Sequence, residues 1–174
     1  MKINSTFSVI VRIILWLLML PGGAVISIIK DIDNPCFLSP LFHFISACIG
    51  IIIIVMTFRA AANSGRELSK GRVGHIPRLE TNRLVTSGIY GCMRHPMFFG
   101  LILLPPGLAF LLGSPTFILY IAPLEMLFIV FMVIVFEERE LRHKFADSYK
   151  DYARKVPAIS FNRYCLKKLF AKKK

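Results

Sequence analysis

The chain reads as an all-α integral membrane protein, and three observations carry that expectation. Of its 174 residues, 55% are apolar and only 18% charged, with a mean hydropathy of +0.62. The charges are also confined, because residues 13–29 and 36–58 carry none and residues 97–136 carry only Glu125. Those tracts have membrane lengths: a bilayer core of about 30 Å takes about 20 helical residues, so the last tract can cross twice and about four spans are expected. An ordinary soluble domain is excluded by this composition.

The first span is expected at 7–29, with Pro21-Gly22-Gly23 loosening its outer half. A cleaved signal peptide is disfavoured because the tract stays apolar through Val25, Ile26, Ile28 and Ile29, beyond the usual length of a signal core. The second span is expected at 37–58, apolar all round at Ile51 to Val55 as a lipid-facing helix should be. Residues 59–96 then read as a cytosolic loop with short elements, Gly-, Arg- and Ser-rich and interrupted by Pro77, and a connection this long usually carries function. Pro96 opens a short third span at 97–112, bent at Pro105-Pro106, since Pro at a first helical position removes an N–H that would be unpaired anyway. Gly113-Ser114-Pro115 turns the chain into a fourth span at 116–136, which makes the last two spans a helical hairpin. A cytosolic helix and basic tail follow at 137–174, with Glu137, Leu141, Phe145, Tyr149 and Tyr152 read as one helical face and Val156-Pro157 as its stop. The tail from Arg163 is partly amphipathic and suits the inner membrane surface.

The net charge of +12 reports topology. A nucleic-acid binder would carry its basic residues as a stripe on a soluble fold with interleaved aromatics. Here Arg59, Arg66, Lys70, Arg72, Arg78, Arg83 and Arg94 lie between the second and third spans and a second group runs from Arg139 to Lys174, whereas the other two connections carry no basic excess. The positive-inside rule then puts both termini and the long loop in the cytosol, where the same patches attract anionic lipid headgroups. The four cysteines, Cys36, Cys48, Cys92 and Cys165, show no metal-finger or CxxC spacing, so free thiols and no structural metal are expected.

Two constellations could carry chemistry. Residues before Pro are pushed out of the helical region, so Arg94 and His95 should sit extended on the cytosolic lip, where arginine beside a helix start collects anions. Glu137, Glu138 and Glu140 follow the fourth span, where acids gain nothing from the topology rule. Intrahelical pairing with Arg142 and Lys144 accounts for Glu138 and Glu140 but not for Glu137, which is expected to face inward. The hairpin should bring both constellations to one mouth, a pocket with cation- and anion-binding groups side by side. A zwitterionic ligand with an extra positive charge would suit it. Glu125, a carboxyl near mid-membrane, is a candidate substrate residue because such a group is expensive there. His43 and the methionines read as packing.

Gly88-Ile89-Tyr90, then Arg94-His95-Pro96-Met97-Phe98-Phe99-Gly100, then Glu137-Glu138 with Leu141, Phe145, Tyr149, Tyr152 and Val156-Pro157 resemble the isoprenylcysteine carboxyl methyltransferase and phospholipid methyltransferase superfamily, over roughly residues 80–157. The resemblance implies S-adenosylmethionine as methyl donor, bound at the cytosolic end of a helical bundle without a Rossmann GxGxxG loop, which this sequence lacks. It places cofactor contacts on Asn82, Arg83, Leu84 and Val85, on Tyr90, on His95, Pro96, Met97 and Phe98, and on Glu137. Three departures stand out: Phe98 where the family often has Tyr, Ala146 where Gly follows Phe145, and Val133 where prenylcysteine-processing members carry an Arg for the substrate carboxylate.

The expected activity is therefore methyl transfer to a lipophilic acceptor entering from the bilayer, with Arg94, His95 and Glu138 nearest the reacting groups and Glu125 and Val133 toward the acceptor. Phospholipid amines, isoprenoid carboxylates and small thiols all remain open as acceptors, and a non-enzymatic lipid-binding scaffold is the alternative from another class. The lack of a targeting extension favours a bacterial inner membrane over an endoplasmic reticulum. The oligomeric state is not legible.

Overall fold

In a computed structural model, residues 5–74 and 81–172 are described, with side chains from residue 18 onward. The expectations placed on Pro77 and Arg78 and on the last two lysines lie outside them. Every regular element among the described residues is helical: α1 (Ser5–Asp31), α2 (Pro40–Ser69), α3 (Pro96–Ile102), α4 (Leu104–Leu112), α5 (Ala122–Met132), α6 (Glu138–Lys155) and α7 (Arg163–Phe170). Two five-residue π-helical segments, Phe117–Ile121 and Val133–Glu137, join α5 to its neighbours, making one continuous helix of 39 residues from Phe117 to Lys155. That helix and α2 are long and apolar enough to cross a membrane, and their most apolar windows are only 22% and 17% buried inside the protein. A core helix of a soluble protein would bury that surface; here the apolar side chains face outward, as in a helix solvated by lipid.

α2 corrects the sequence reading, in which the loop begins at residue 59. The helix runs eleven residues further, to Ser69. Arg59-Ala60-Ala61-Ala62 are good helix formers, and Ala60, Asn63, Ser64 and Glu67, spaced three and four apart, are all buried. Apolar length marks a membrane crossing, but helix length follows propensity and packing.

The chain divides into two compact units, Met1–Ile52 with Pro105–Leu127, and Ile53–Leu104 with Phe128–Lys174. The first is organised around Asp31, 1% exposed at the end of α1. Its carboxylate accepts hydrogen bonds from the Ser114 hydroxyl at 2.5 Å, the Thr116 hydroxyl at 2.5 Å and the Thr116 backbone N–H at 2.9 Å. Ser114 in turn accepts from the Phe117 N–H at 3.1 Å, so the expected turn at 113–115 is tied to α1 as a helix cap borrowed from a distant residue. Gly113 has φ +63° and a Cβ there would overlap the His43 ring, two reasons for glycine at one position. Ala109, Phe117 and Ala122 form the core, with Ala24, Leu112, Ile118 and Ile121 packed against it.

In the second unit Ala60, Ile89, Met93, Cys165 and Leu169 form the core. The apolar face of α7 is spent here on protein, where the sequence suggested a membrane surface. Asn63 donates to the backbone oxygens of Leu169 at 2.8 Å and Ala171 at 2.9 Å, and Lys168 donates to Gly88 O at 3.2 Å. This docking also corrects the expectation of free thiols. Cys92 and Cys165 are paired as a disulfide with their Cα atoms 5.6 Å apart, while Cys36 and Cys48 are free. Spacing along the chain does not reveal a pair separated by 73 residues.

α6 is broken internally at Ala146, which adopts φ 43° and ψ −120°. An L side chain is strained there and glycine is not. Ala146→Gly is therefore expected to raise stability by about 1 kcal/mol, read as a higher midpoint of thermal unfolding in detergent.

Candidate active site

His95 and Arg94 precede Pro96 in non-helical backbone, as expected for residues before proline, with His95 at φ −121° and ψ 57°. The Arg94 backbone N–H donates to Pro157 O at 2.9 Å and that of His95 to Ala158 O at 3.1 Å, so the chain leaving α6 straps the start of α3.

Arg94 meets the first carboxyl group of α6. Its Nη1 lies 2.6 Å from Glu138 Oε1 and donates to Oε2 at 2.9 Å. Glu138 Oε1 also accepts from His95 Nε2 at 2.9 Å and from the Tyr149 hydroxyl at 3.0 Å, and Arg142 approaches Oε2 at 3.6 Å. Tyr149 is 1% exposed and touches Tyr152 edge-on, and the Tyr152 hydroxyl donates to Tyr90 O at 2.6 Å. A single buried carboxylate therefore gathers two arginines, a histidine and a tyrosine that lie up to 55 residues apart.

Of the two acids Glu138 is the buried one, while Glu137, on which the face count fell, is half-buried and lies near the buried Tyr90. Seven residues make about two helical turns, so Glu138 stands within about 20° of Phe145, whereas Glu137 is turned away by about 80°. Glu138 is buried and Glu137 is partly exposed. The i+4 contact with Arg142 that seemed to explain Glu138 is its weakest one, at 3.6 Å. The π-helical turn of Val133–Glu137 ends immediately before this residue, and such turns recur at functional sites.

Burial pushes the Glu138 carboxyl up, but the hydrogen bonds from His95 and Tyr149 and the positive charge of Arg94 outweigh it and hold the group below the ordinary carboxylate range. Burial disfavours the His95 imidazolium more than Glu138 favours it, so His95 titrates below its ordinary value of 6.5 and is neutral at pH 7. Donating Nε2–H to the carboxylate then leaves Nδ1 unprotonated. Both groups bind protons more weakly when folded than when unfolded. Their contribution to stability is complete above about pH 6.5 and is lost as the pH falls through the lowered folded values. Thermal unfolding between pH 8 and pH 4 should show a falling midpoint, and His95→Gln should remove the upper part of that fall.

Arg94, His95 and Glu138 form one end of a cavity of about 610 Å³, whose other walls include Phe98, Ile102, Val130, Val133, Ile134 and Ile159, with Arg139 and Arg142 also lining it. Its size suits a drug-sized ligand. The Nε of Arg94 is buried without a hydrogen-bond partner among the described residues. An orphaned guanidinium N–H beside an ionised carboxylate fits a ligand carrying both a carboxylate and an ammonium group.

The other sequence candidates fall elsewhere. Asn82 is spent on structure, accepting from Val73 N at 2.9 Å and donating to Val73 O at 2.8 Å. Arg83 donates its N–H to Gly71 O at 3.1 Å, and Val85 packs where a Gly71 Cβ would be. Neither these residues nor Leu84, Tyr90, Pro96, Met97 and Glu137 line the cavity. Tyr90 is buried, and burial first, then the carboxylates of Glu137 and Glu67, raise its hydroxyl pKa, keeping it a proton donor. Glu125 belongs to the first unit, 4% exposed, its oxygens without hydrogen-bond partners among the described residues, and a Cβ on Gly23 would stand 2.7 Å from Oε1. His43 is held by the Phe37 backbone oxygen and by the edges of Phe37 and Phe42, a packing role. The sequence places Tyr149 on the helical face and in the family motif without giving it a polar role; in the structure its hydroxyl donates to Glu138 Oε1 at 3.0 Å. Among the described residues no group of three or more His, Cys, Asp or Glu side chains could hold a metal ion.

A family model described as phospholipid methyltransferase matches residues 44–148. The protein-S-isoprenylcysteine O-methyltransferase of Schizosaccharomyces pombe is 29% identical over 149 residues, which is 80% of this chain and 60% of that protein. Protein-S-isoprenylcysteine O-methyltransferase B of Arabidopsis thaliana is 34% identical over 83 residues, 48% of this chain and 42% of that protein. The matches thus span about half the length of these relatives. No solved structure matches significantly.

Proposed function

We propose that this chain, which belongs to the phospholipid methyltransferase family, transfers a methyl group to a lipophilic acceptor at the cytosolic face of a membrane that it spans four times. The observation that carries this reading is the cavity that joins an apolar wall to the Arg94–His95–Glu138 cluster. S-adenosylmethionine, when bound, supplies an electrophilic methyl group. Arg94 would hold its carboxylate through the orphaned Nε, and Glu138, held ionised, would attract its ammonium group and keep Arg94 and His95 in place. Glu137 beside Tyr90 is the second carboxylate proposed for the cofactor.

Phe98, Ile102, Val130, Val133 and Ile134 would receive the apolar part of the acceptor and exclude water, so that donor and acceptor meet at fixed distance. An acceptor carboxylate needs no base. An amine or thiol must lose a proton, and His95, neutral at pH 7, is positioned to accept it.

The test is incubation of membranes containing the protein with a donor carrying a labelled methyl group. Label should appear in the lipid fraction and be lost with Arg94→Ala. Base-labile label identifies a carboxylate acceptor; base-stable label identifies an amine or thiol. Absence of any transferred label would leave the scaffold reading instead.

A further inference from the structure

A second cleft, of about 310 Å³, lies in the same unit and is lined by Arg94, Arg142, Lys150, Ala153 and Arg154. Four of its five lining residues are cations and none is an acid. The acids around it do not neutralise it. Glu138 is shared between Arg94 and Arg142, while Lys150 and Arg154 pair with Asp147 at 2.9 Å and Asp151 at 3.6 Å in contacts exposed to solvent on both sides, where such pairs are weak.

The backbone explains how these charges converge. Arg142 precedes the break at Ala146 and Lys150 and Arg154 follow it, so the two halves of α6 present them to one concavity with Arg94. Holding an L residue at φ 43° is unfavourable, and gathering like charges adds to that. A multiply charged anion in the cleft would offset both. Three guanidinium groups and one ammonium offer more donors than a carboxylate can accept. A tetrahedral phosphate, with three oxygens to share among forked donors, matches them.

We propose that this cleft is a phosphate-binding site separate from the apolar cavity, with Lys150 and Arg154 as its outer clamp and Arg94 and Arg142 as the wall it shares with that cavity. Its ligand is the phosphate group of a lipid headgroup or of a soluble phosphate, and the site stands whether or not methyl transfer is the activity.

The experiment is calorimetric titration of the full chain in detergent micelles with inorganic phosphate, using chloride at equal ionic strength as control. Saturable phosphate binding is expected, weakened about tenfold or more by Lys150→Ala combined with Arg154→Ala and retained by Arg154→Lys. Both positions are exposed, so the variants should fold, and unchanged circular dichroism checks this. Repeating the titration in micelles doped with phosphatidic acid separates the sources. Competition that the double variant abolishes identifies a headgroup, and phosphate binding without competition identifies a soluble phosphate. Equal heats for phosphate and chloride, or a double variant that binds phosphate as tightly as the parent, would overturn the proposal.

Discussion

Glu138→Ala is expected to destabilise the protein by about 3 kcal/mol or more and to abolish binding of S-adenosylhomocysteine, because it leaves a largely buried guanidinium and a buried imidazole without their common partner. Removing one member of a buried ionic cluster is far more damaging than its net contribution suggests. Arg94, His95, Tyr149 and Arg142 all converge on this carboxylate, so its removal affects all four at once. Glu138→Gln keeps the shape and one acceptor oxygen and should recover part of the stability without the charge. Thermal unfolding in detergent and calorimetry with S-adenosylhomocysteine measure the two effects separately. A Glu138→Ala protein that melts like the parent would show that the cluster does not exist in solution.

Asp31→Ala is expected to have a comparable effect on stability, about 3 kcal/mol, with no role in the chemistry. It strands the hydroxyls of Ser114 and Thr116 and the Thr116 N–H, all of which donate to this carboxylate at a site 1% exposed, and each buried donor left unpaired costs about 1–3 kcal/mol. Because Ser114 and Thr116 can turn partly toward other acceptors, the sum is smaller than three full penalties. Asp31→Asn should retain an acceptor and recover about half. The same unfolding assay checks both, and methyl transfer by the molecules that remain folded should be unchanged.

These effects also show which parts of the molecule were legible in the chain. The helical class, the extended lip before Pro96, the turn at Gly113-Ser114-Pro115 and the meeting of Arg94 and His95 with a glutamate after residue 136 were legible from hydropathy, proline geometry and the placing of charges beside the apolar tracts. What escaped depends on phase or on distant partners. Choosing between Glu137 and Glu138 required fixing helical phase to within one residue, which an amphipathic face with several apolar positions does not do. The continuation of α2 to Ser69 was hidden because its buried positions, Ala60, Asn63, Ser64 and Glu67, are not apolar enough to mark a face. Asn82 carried a family role in the sequence and a structural one in the fold, where it closes a loop through the backbone of Val73. The pairing of Cys92 with Cys165 depends on tertiary packing, for which no local residue pattern gives a sign, whereas the break at Ala146 that brings Arg142, Lys150 and Arg154 together had one sign in the sequence, the glycine that the resembled family carries after Phe145.

The most direct test is a double-mutant cycle on S-adenosylhomocysteine affinity, measured by calorimetry for the parent, Arg94→Gln, Glu138→Gln and the double variant. If these side chains act as one wall of the cofactor cavity, the double variant loses little more than either single variant, with a coupling energy of about 1.5 kcal/mol or more. Additive losses, or affinities unchanged throughout, would contradict the account.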